Sequence, residues 1–309
     1  MKDRFIIFLF LSVALSSCTL SLKNDVLSHT DEDFTHGTEF IYNKDIEAAN
    51  KYLRKIAQAI PDITFGEAED PTHVSAKIGQ HIYTPSDLSR EDIIEEDNPY
   101  AGWLFGEVKR QVLREDYRRQ VGLALGIIGR NSGAEFIQKF VHNDLGRGRD
   151  PKGWDHQLGH ELGVVGSLEQ SEVFFRYHPG GWEVDGIHGA ELRLGNVHTD
   201  FKYGPQIRFG KGLPSFEGYD EHWSLYGYTG GNLRAVGRNI FYDGNTFSDS
   251  HRVGSEPLVA DIGGGLITQI EGWEVGLHYT YTTPEHKRRE SGGHSIWFLS
   301  ISKALDLFD

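Results

Sequence analysis

Beyond its first fifteen residues the chain has no long apolar run, yet stretch after stretch alternates strictly between apolar and polar residues. Residues 120–127 read QVGLALGI, with Val121, Leu123, Leu125 and Ile127 on one face and Gln120, Gly122, Ala124 and Gly126 on the other. Residues 183–194 set Val184, Ala190, Leu192 and Leu194 against Asp185, Glu191 and Arg193. Residues 274–281 set Val275, Leu277, Tyr279 and Tyr281 against Glu274, Gly276, His278 and Thr280. Period two is strand periodicity, so the chain must build sheets with one apolar and one polar face. A hydrophobic fraction of 38% is too low for a bundle of membrane helices. The 37 Gly and the aromatic content, with only 10 Pro, suit many turns and strands.

The single apolar run is Phe5 to Leu15, FIIFLFLSVAL, preceded by Lys2 and Arg4. It is too short to span a bilayer as a helix and matches the core of an export signal. We therefore expect residues 1–17 to be a signal peptide and 18–309 one barrel domain, with no linker or internal repeat. Leu15-Ser16-Ser17-Cys18 also has the form of a lipoprotein signal, in which Cys18 is acylated; a plain signal peptide with an incidental Cys fits equally. One Cys excludes a disulfide scaffold and any Cys-based metal cluster. A net charge of −14 argues against nucleic acid as the main partner.

Alternating strands fit a soluble sandwich, which hides its apolar faces between two sheets, or a transmembrane barrel, which turns them to lipid. Export, charge on the polar faces, and Trp or Tyr near strand ends (Tyr100, Trp103, Trp154, Trp182, Trp223, Trp273) favour the barrel. The expected fold is all-β: a 12-stranded antiparallel transmembrane β-barrel with a short helix in an extracellular loop. Its strands are read at 22–29, 36–46, 74–84, 99–113, 116–129, 154–177, 182–196, 199–210, 222–241, 256–269, 273–285 and 294–305. The even count returns both termini to the periplasm. Two segments have helical spacing. Residues 134–144 fall in an extracellular connection, with Phe136, Phe140 and Val141 on a side expected to pack on the barrel wall. Residues 44–60 fall in a periplasmic connection, either as a cap over the barrel mouth or as a periplasmic contact.

Gln138 and His142 are four apart on the first of these helices and share a face. His is the usual general base near neutral pH. Asn24, Asp25, Asp31, Asp33 and Thr35 supply hard oxygens, which suit Ca²⁺ rather than a transition metal. Ca²⁺ beside a His base is a set of groups fit for ester hydrolysis. Taken singly, a loop His is more often plain surface, and acidic loop residues are usually solvated. His156 and His160 suggest zinc only weakly, because no third ligand accompanies them.

Taken in order, these blocks resemble the LpxR-type lipid A 3′-O-deacylases. The matching segments are Asn24-Asp25, Thr30 to Gly37, Ile82 to Pro85, Asp97 to Trp103, Gln138 with His142, Gly153 to Leu158, and Asp243 to His251 with Pro257 to Asp261. The resemblance implies a twelve-stranded outer-membrane barrel that removes the 3′-linked acyloxyacyl group of lipid A with Ca²⁺. Its site would lie between the wall and a loop helix, and its chemistry would resemble secreted phospholipase A2. It implies His142 as base, Asn24 and Asp25 at the metal and oxyanion site, and Thr35 at the hydroxyl position. Arg90 and Gln138 would be substrate-binding residues, Arg90 toward phosphate; its alternative is an interfacial Arg anchoring a strand end. No protein partner is implied beyond lipid A or lipopolysaccharide. Some members carry a Glu shortly after the His, where counting here gives Gly148; Asp144 or Asp150 are the candidate substitutes. A non-catalytic barrel, either a pore or a lipopolysaccharide-binding surface protein, is the alternative.

Overall fold

A computed structural model of the chain describes residues 17–24, 33–63, 69–144, 150–219, 222–288 and 292–304. Twelve strands close into one barrel: β1 (Ser17–Asn24), β2 (Asp33–Asp45), β3 (His73–Thr84), β4 (Ala101–Leu113), β5 (Tyr117–Ile128), β6 (Glu161–Tyr177), β7 (Glu183–Gly195), β8 (His198–Lys211), β9 (Trp223–Asn239), β10 (Leu258–Ile270), β11 (Trp273–Thr282) and β12 (His294–Ala304). Each pairs antiparallel with its sequence neighbours, and β1 closes on β12, which leaves no free sheet edge. The alternation settles which face is which. Leu123, Leu125, Leu194, Leu277 and Ile262 are exposed on the outer wall. Inside, charges pair along the lumen wall between nearby strands: Lys77 with Glu107 at 2.9 Å, Lys109 with Glu169 at 3.2 Å, Lys202 with Glu191 at 2.6 Å. An apolar exterior around a salt-bridged interior is a barrel built for lipid, not a sandwich.

The path departs from the sequence reading at the ends of three strands and at one helix, each with a local cause. β1 begins at Ser17, earlier than read, because the alternation of Cys18, Leu20 and Leu22 with Thr19 and Ser21 follows directly on the apolar run. Residues 1–16 lie outside the described set. β6 begins at Glu161, because Gly153–His156 form a 3₁₀ turn, so His156 and His160 do not share a strand face. β9 stops at Asn239, whose side chain accepts from the Phe241 N–H at 3.2 Å and starts the short helix Ile240–Asp243. The helix read at 44–60 is shorter in fact: Asn50 caps α1 (Lys51–Ala59) by accepting from the N–H groups of Tyr52 and Leu53, both at 3.0 Å.

The helix at Ile240–Asp243 turns Ile240, Phe241 and Tyr242 into the barrel mouth, where all three are fully buried. Phe241 stacks on Tyr83 with ring centroids 3.8 Å apart, above Trp103 and Phe105. Glu285 locks the plug, accepting from the Arg234 guanidinium at 3.0 Å and the Tyr242 hydroxyl at 3.1 Å. Below the plug a cavity of about 1280 Å³ opens toward the end that carries the termini, lined by Lys44, Lys77, Glu107, Gln111, Glu169 and Glu274. The lumen is therefore closed at one end.

Helix α1, between β2 and β3, does not cap the mouth. Ala49 and Ala57 pack, with Ile46 and Leu53, on Val74 and Val108. Those two valines alternate with Ser75, Lys77, Glu107 and Lys109, which line the lumen cavity. So α1 lies on the outer wall, at the end of the barrel where the termini and most short turns gather.

Candidate active site on the outer wall

At the opposite end a second helix, α2 (Ala134–Lys139), is seated on the outside of the same two strands. Its approach depends on two glycines. Gly133, at φ 71°, adopts the left-handed conformation that lets the chain turn into the helix. Gly102 of β4 lies so close that a Cβ there would stand 2.2 Å from both Ala134 Cβ and Ser132 Oγ. Gln80 of β3 fastens the same turn by donating to the Ser132 carbonyl at 2.7 Å. Ala134, Ile137, Ile82, Leu88, Tyr100 and Trp154 fill the space between helix and wall. The expectation that Phe136 and Phe140 face the wall is reversed. Phe136 is 71% exposed and Phe140 half-exposed, because only small residues fit against Gly102. On a lipid-facing wall, that places two stacked rings where acyl chains run.

Gln138 and His142 are both buried. His142 stands on a π-helical turn, Phe140–Asp144, that continues α2; such widened turns recur at functional sites. The orientation of Gln138 follows from chemistry. The Trp154 indole N–H, a donor only, gives its hydrogen to Gln138 Oε1 at 2.8 Å. The amide oxygen must therefore face Trp154, and the NH₂ group faces the other way. That Nε2 is buried with no hydrogen-bond partner among the described residues. A buried amide donor left open is costly unless something arrives to accept from it. A carbonyl oxygen or oxyanion of a ligand is the kind of group that would.

Of the other residues singled out in the sequence, the structure brings some close and leaves others apart. Asn24 ends β1, and its backbone pairs with His36, which pairs with Ile82, which pairs with Gly102. One row of the sheet thus runs from Asn24 to the seat of α2. Thr35 lies where the β2–β3 register slips between Phe34 and His36. Asp25 and Asp31 lie outside the described residues, and so does the segment 145–149 that holds Gly148. Asp150 accepts from the Asn143 amide at 2.9 Å, which sets its carboxylate beside the π turn. Arg90 is exposed, and its loop reaches the site through backbone: its carbonyl would lie 3.1 Å from a Cβ on Gly153, next to Trp154. Among the described residues no three His, Cys, Asp or Glu side chains form a metal cluster, and His156 and His160 make none.

Sequence reasoning missed Trp154, Gln80 and Gly102 as builders of the site. Trp154 and Gly102 sit inside the motif blocks but carry no reactive group to draw notice. Several block residues prove to be stitching between loops. Asp97 accepts from the Ser86 N–H and hydroxyl at 2.7 Å, and its carbonyl is bonded by His251 at 2.7 Å. Glu161 accepts from Asn245 at 3.1 Å and from the Thr246 N–H at 2.8 Å.

A closed twelve-stranded barrel with an apolar outer wall and a plugged lumen, carrying a helix with buried Gln138 and His142 on that wall, is of the outer-membrane β-barrel class. The family model described as "Outer membrane protein LpxR" matches residues 5–304, and the chain belongs to that family. Among solved structures it is similar to LpxR from Salmonella typhimurium, at 18% identity and a TM-score of 0.76, over 93% of this chain and 99% of that one. The β domain of the Bordetella autotransporter BrkA aligns over 93% of this chain and 98% of its own, at 11% identity and a TM-score of 0.44. No curated protein sequence is significantly similar to the chain.

Proposed function

We propose that this protein is an outer-membrane lipid A deacylase that hydrolyses the 3′-linked acyloxyacyl ester of lipid A. The observation that carries the reading is the buried pair Gln138 and His142 on a helix docked to the outer wall, at the end of the barrel away from the termini. Outer-membrane barrels keep their termini in the periplasm, so that end meets the outer leaflet, where lipid A resides. A site on the wall receives a lipid by lateral diffusion, without passage through water.

In this reading His142 takes a proton from water as it attacks the ester carbonyl. The open Nε2 of Gln138 donates to the substrate, and a donor fixed before reaction is most effective where charge develops on oxygen. Asn24, Asp25 and Thr35 offer hard oxygen donors, a set that suits Ca²⁺ over Zn²⁺, and Asp150 stands in reach of the same turn. Bound there, Ca²⁺ would stabilise negative charge on the carbonyl oxygen. Arg90 is the candidate contact for a lipid A phosphate.

The alternative of a pore is disfavoured by the buried plug of Phe241 and Tyr242. The deciding experiment is mass spectrometry of lipid A from cells expressing the protein or its His142→Ala variant. Loss of the 3′ acyloxyacyl mass only with the unaltered protein supports the reading. Purified protein assayed with EGTA, then with Ca²⁺ or Zn²⁺ restored, tests the metal: activity surviving chelation removes Ca²⁺ from the proposal.

A further inference from the structure

We propose that α1 is an interfacial anchor that binds anionic phospholipid of the inner leaflet, with Tyr52 and Ile56 inserted among the lipids and Lys51 and Lys55 on their headgroups. At about 100° per residue, Ala57, Leu53, Ile56 and Tyr52 span an apolar arc of roughly 140°. The wall uses only half of it, through Ala57 and Leu53. The other half is open: Ile56 is 45% and Tyr52 68% exposed. Lys51, Arg54, Lys55 and Gln58 fill the opposite flank. A helix lying on a lipid-facing wall with one apolar and one cationic flank has the form of an interfacial helix.

Two independent features of the barrel place that helix at the inner membrane interface. The first is the aromatic girdle. On the same end, Trp182, Trp223 and Trp273 are exposed at the starts of β7, β9 and β11. Lys211 stands over Trp182 at 5.2 Å and Lys303 over Trp273 at 5.0 Å. The inner ends of β3 and β4 carry no such Trp, and α1 covers them; there Lys51 stands over Tyr52 at 5.1 Å, repeating the arrangement. The second is charge. In a chain of net charge −14, the sequence KYLRKIAQA of α1 holds three cations and no acid. Of the acids that follow the helix, Asp62 pairs with Arg110 at 3.0 Å and Glu69 with Arg114 at 2.7 Å. Arg54 turns back onto the Glu47 and Ala49 carbonyls. Lys51 and Lys55 are exposed and meet no carboxylate among the described residues, which leaves them for a phosphate headgroup.

The full barrel, refolded into vesicles of phosphatidylethanolamine and phosphatidylglycerol, tests this. With Cys18→Ser as background, spin labels are placed at Ile56→Cys or Gln58→Cys, and heat-modifiable mobility verifies the folded barrel. The label at 56 should meet oxygen more than a water-soluble nickel chelate, and the label at 58 the reverse. Equal nickel access at both positions overturns the insertion. Native mass spectrometry then reads bound lipid. Lys51→Glu with Lys55→Glu should lower retained phosphatidylglycerol by roughly tenfold or more while leaving phosphatidylethanolamine unchanged. Unchanged phosphatidylglycerol, or equal loss of both lipids, overturns the headgroup contact.

Discussion

The indole N–H of Trp154 points at Oε1 of Gln138 from 2.8 Å, and that one bond decides which end of a buried amide is left open as a donor. Trp154→Phe keeps the ring against Tyr100 but frees the amide to rotate. We expect kcat/KM on lipid A to fall by about tenfold, the worth of one buried hydrogen bond. Gln138→Met should cost at least as much, and adding Trp154→Phe to it should cost little more. Additive losses in this double-mutant cycle would show that Trp154 does not act through Gln138.

Gly102 tests whether the seat of α2 matters apart from barrel folding. Gly102→Leu places bulk where a Cβ alone would collide with Ala134 and Ser132. The barrel should tolerate an outward leucine in lipid, as it does at Leu104, while the helix is pushed off the wall at a cost of about 1–3 kcal/mol. The expected result is normal heat-modifiable mobility with deacylation reduced by tenfold or more. Wild-type activity in this variant would detach the helix position from the chemistry.

Arg90 separates two roles by substrate. As a phosphate contact, its loss by Arg90→Ala should lower turnover of bisphosphorylated lipid A on the order of tenfold to a hundredfold, the range for hydrogen bonds to charged groups. A dephosphorylated analogue should be cut nearly as before. Arg90→Lys should restore only part, because a point charge replaces a two-pronged donor. Equal loss on both substrates, or none, would make it an anchoring residue.

Glu285 gives the plug a pH dependence. Burial alone would raise its carboxyl, but the Arg234 guanidinium and His294, with the Tyr242 hydroxyl, outweigh it and hold Glu285 below the ordinary value. Stabilisation from a carboxyl held down in the folded state is full above its unfolded pKa of about 4.3 and is lost as pH falls through the folded value. In planar bilayers the protein should show no steady conductance at neutral pH, and openings should appear only once the pH has fallen below the ordinary carboxylate range. In Glu285→Gln, where Arg234 keeps its pairing with Asp261 at 3.5 Å but loses the Glu285 carboxylate, openings should appear already at pH 7. Openings of the unaltered protein at pH 6 would shift control of the plug to a group other than Glu285.

The barrel itself was legible from residues alone. Period-two alternation specifies strands and their two faces, and a strand's faces are determined locally, because consecutive side chains must point to opposite sides. That is why Leu123, Leu125 and Leu277 could be assigned to one surface before any pairing was known, and why twelve segments were found nearly in place. The helical spacing of Gln138 and His142 was readable for the same reason, since four residues make about one turn.

What no local pattern contains is which surface an element lands on. α1 and the 134–144 helix are both amphipathic, and amphipathicity says that one face is covered without saying by what. The reading of Phe136 and Phe140 as the packed face failed because the close approach at Gly102 admits only a small residue, Ala134, on the side of the helix that meets it. The close approach at Gly102, the bond from Trp154 to Gln138 and the plug of Phe241 on Tyr83 join residues far apart in sequence. They arise only once barrel closure has fixed where every strand end lies, so the tertiary structure alone decided them.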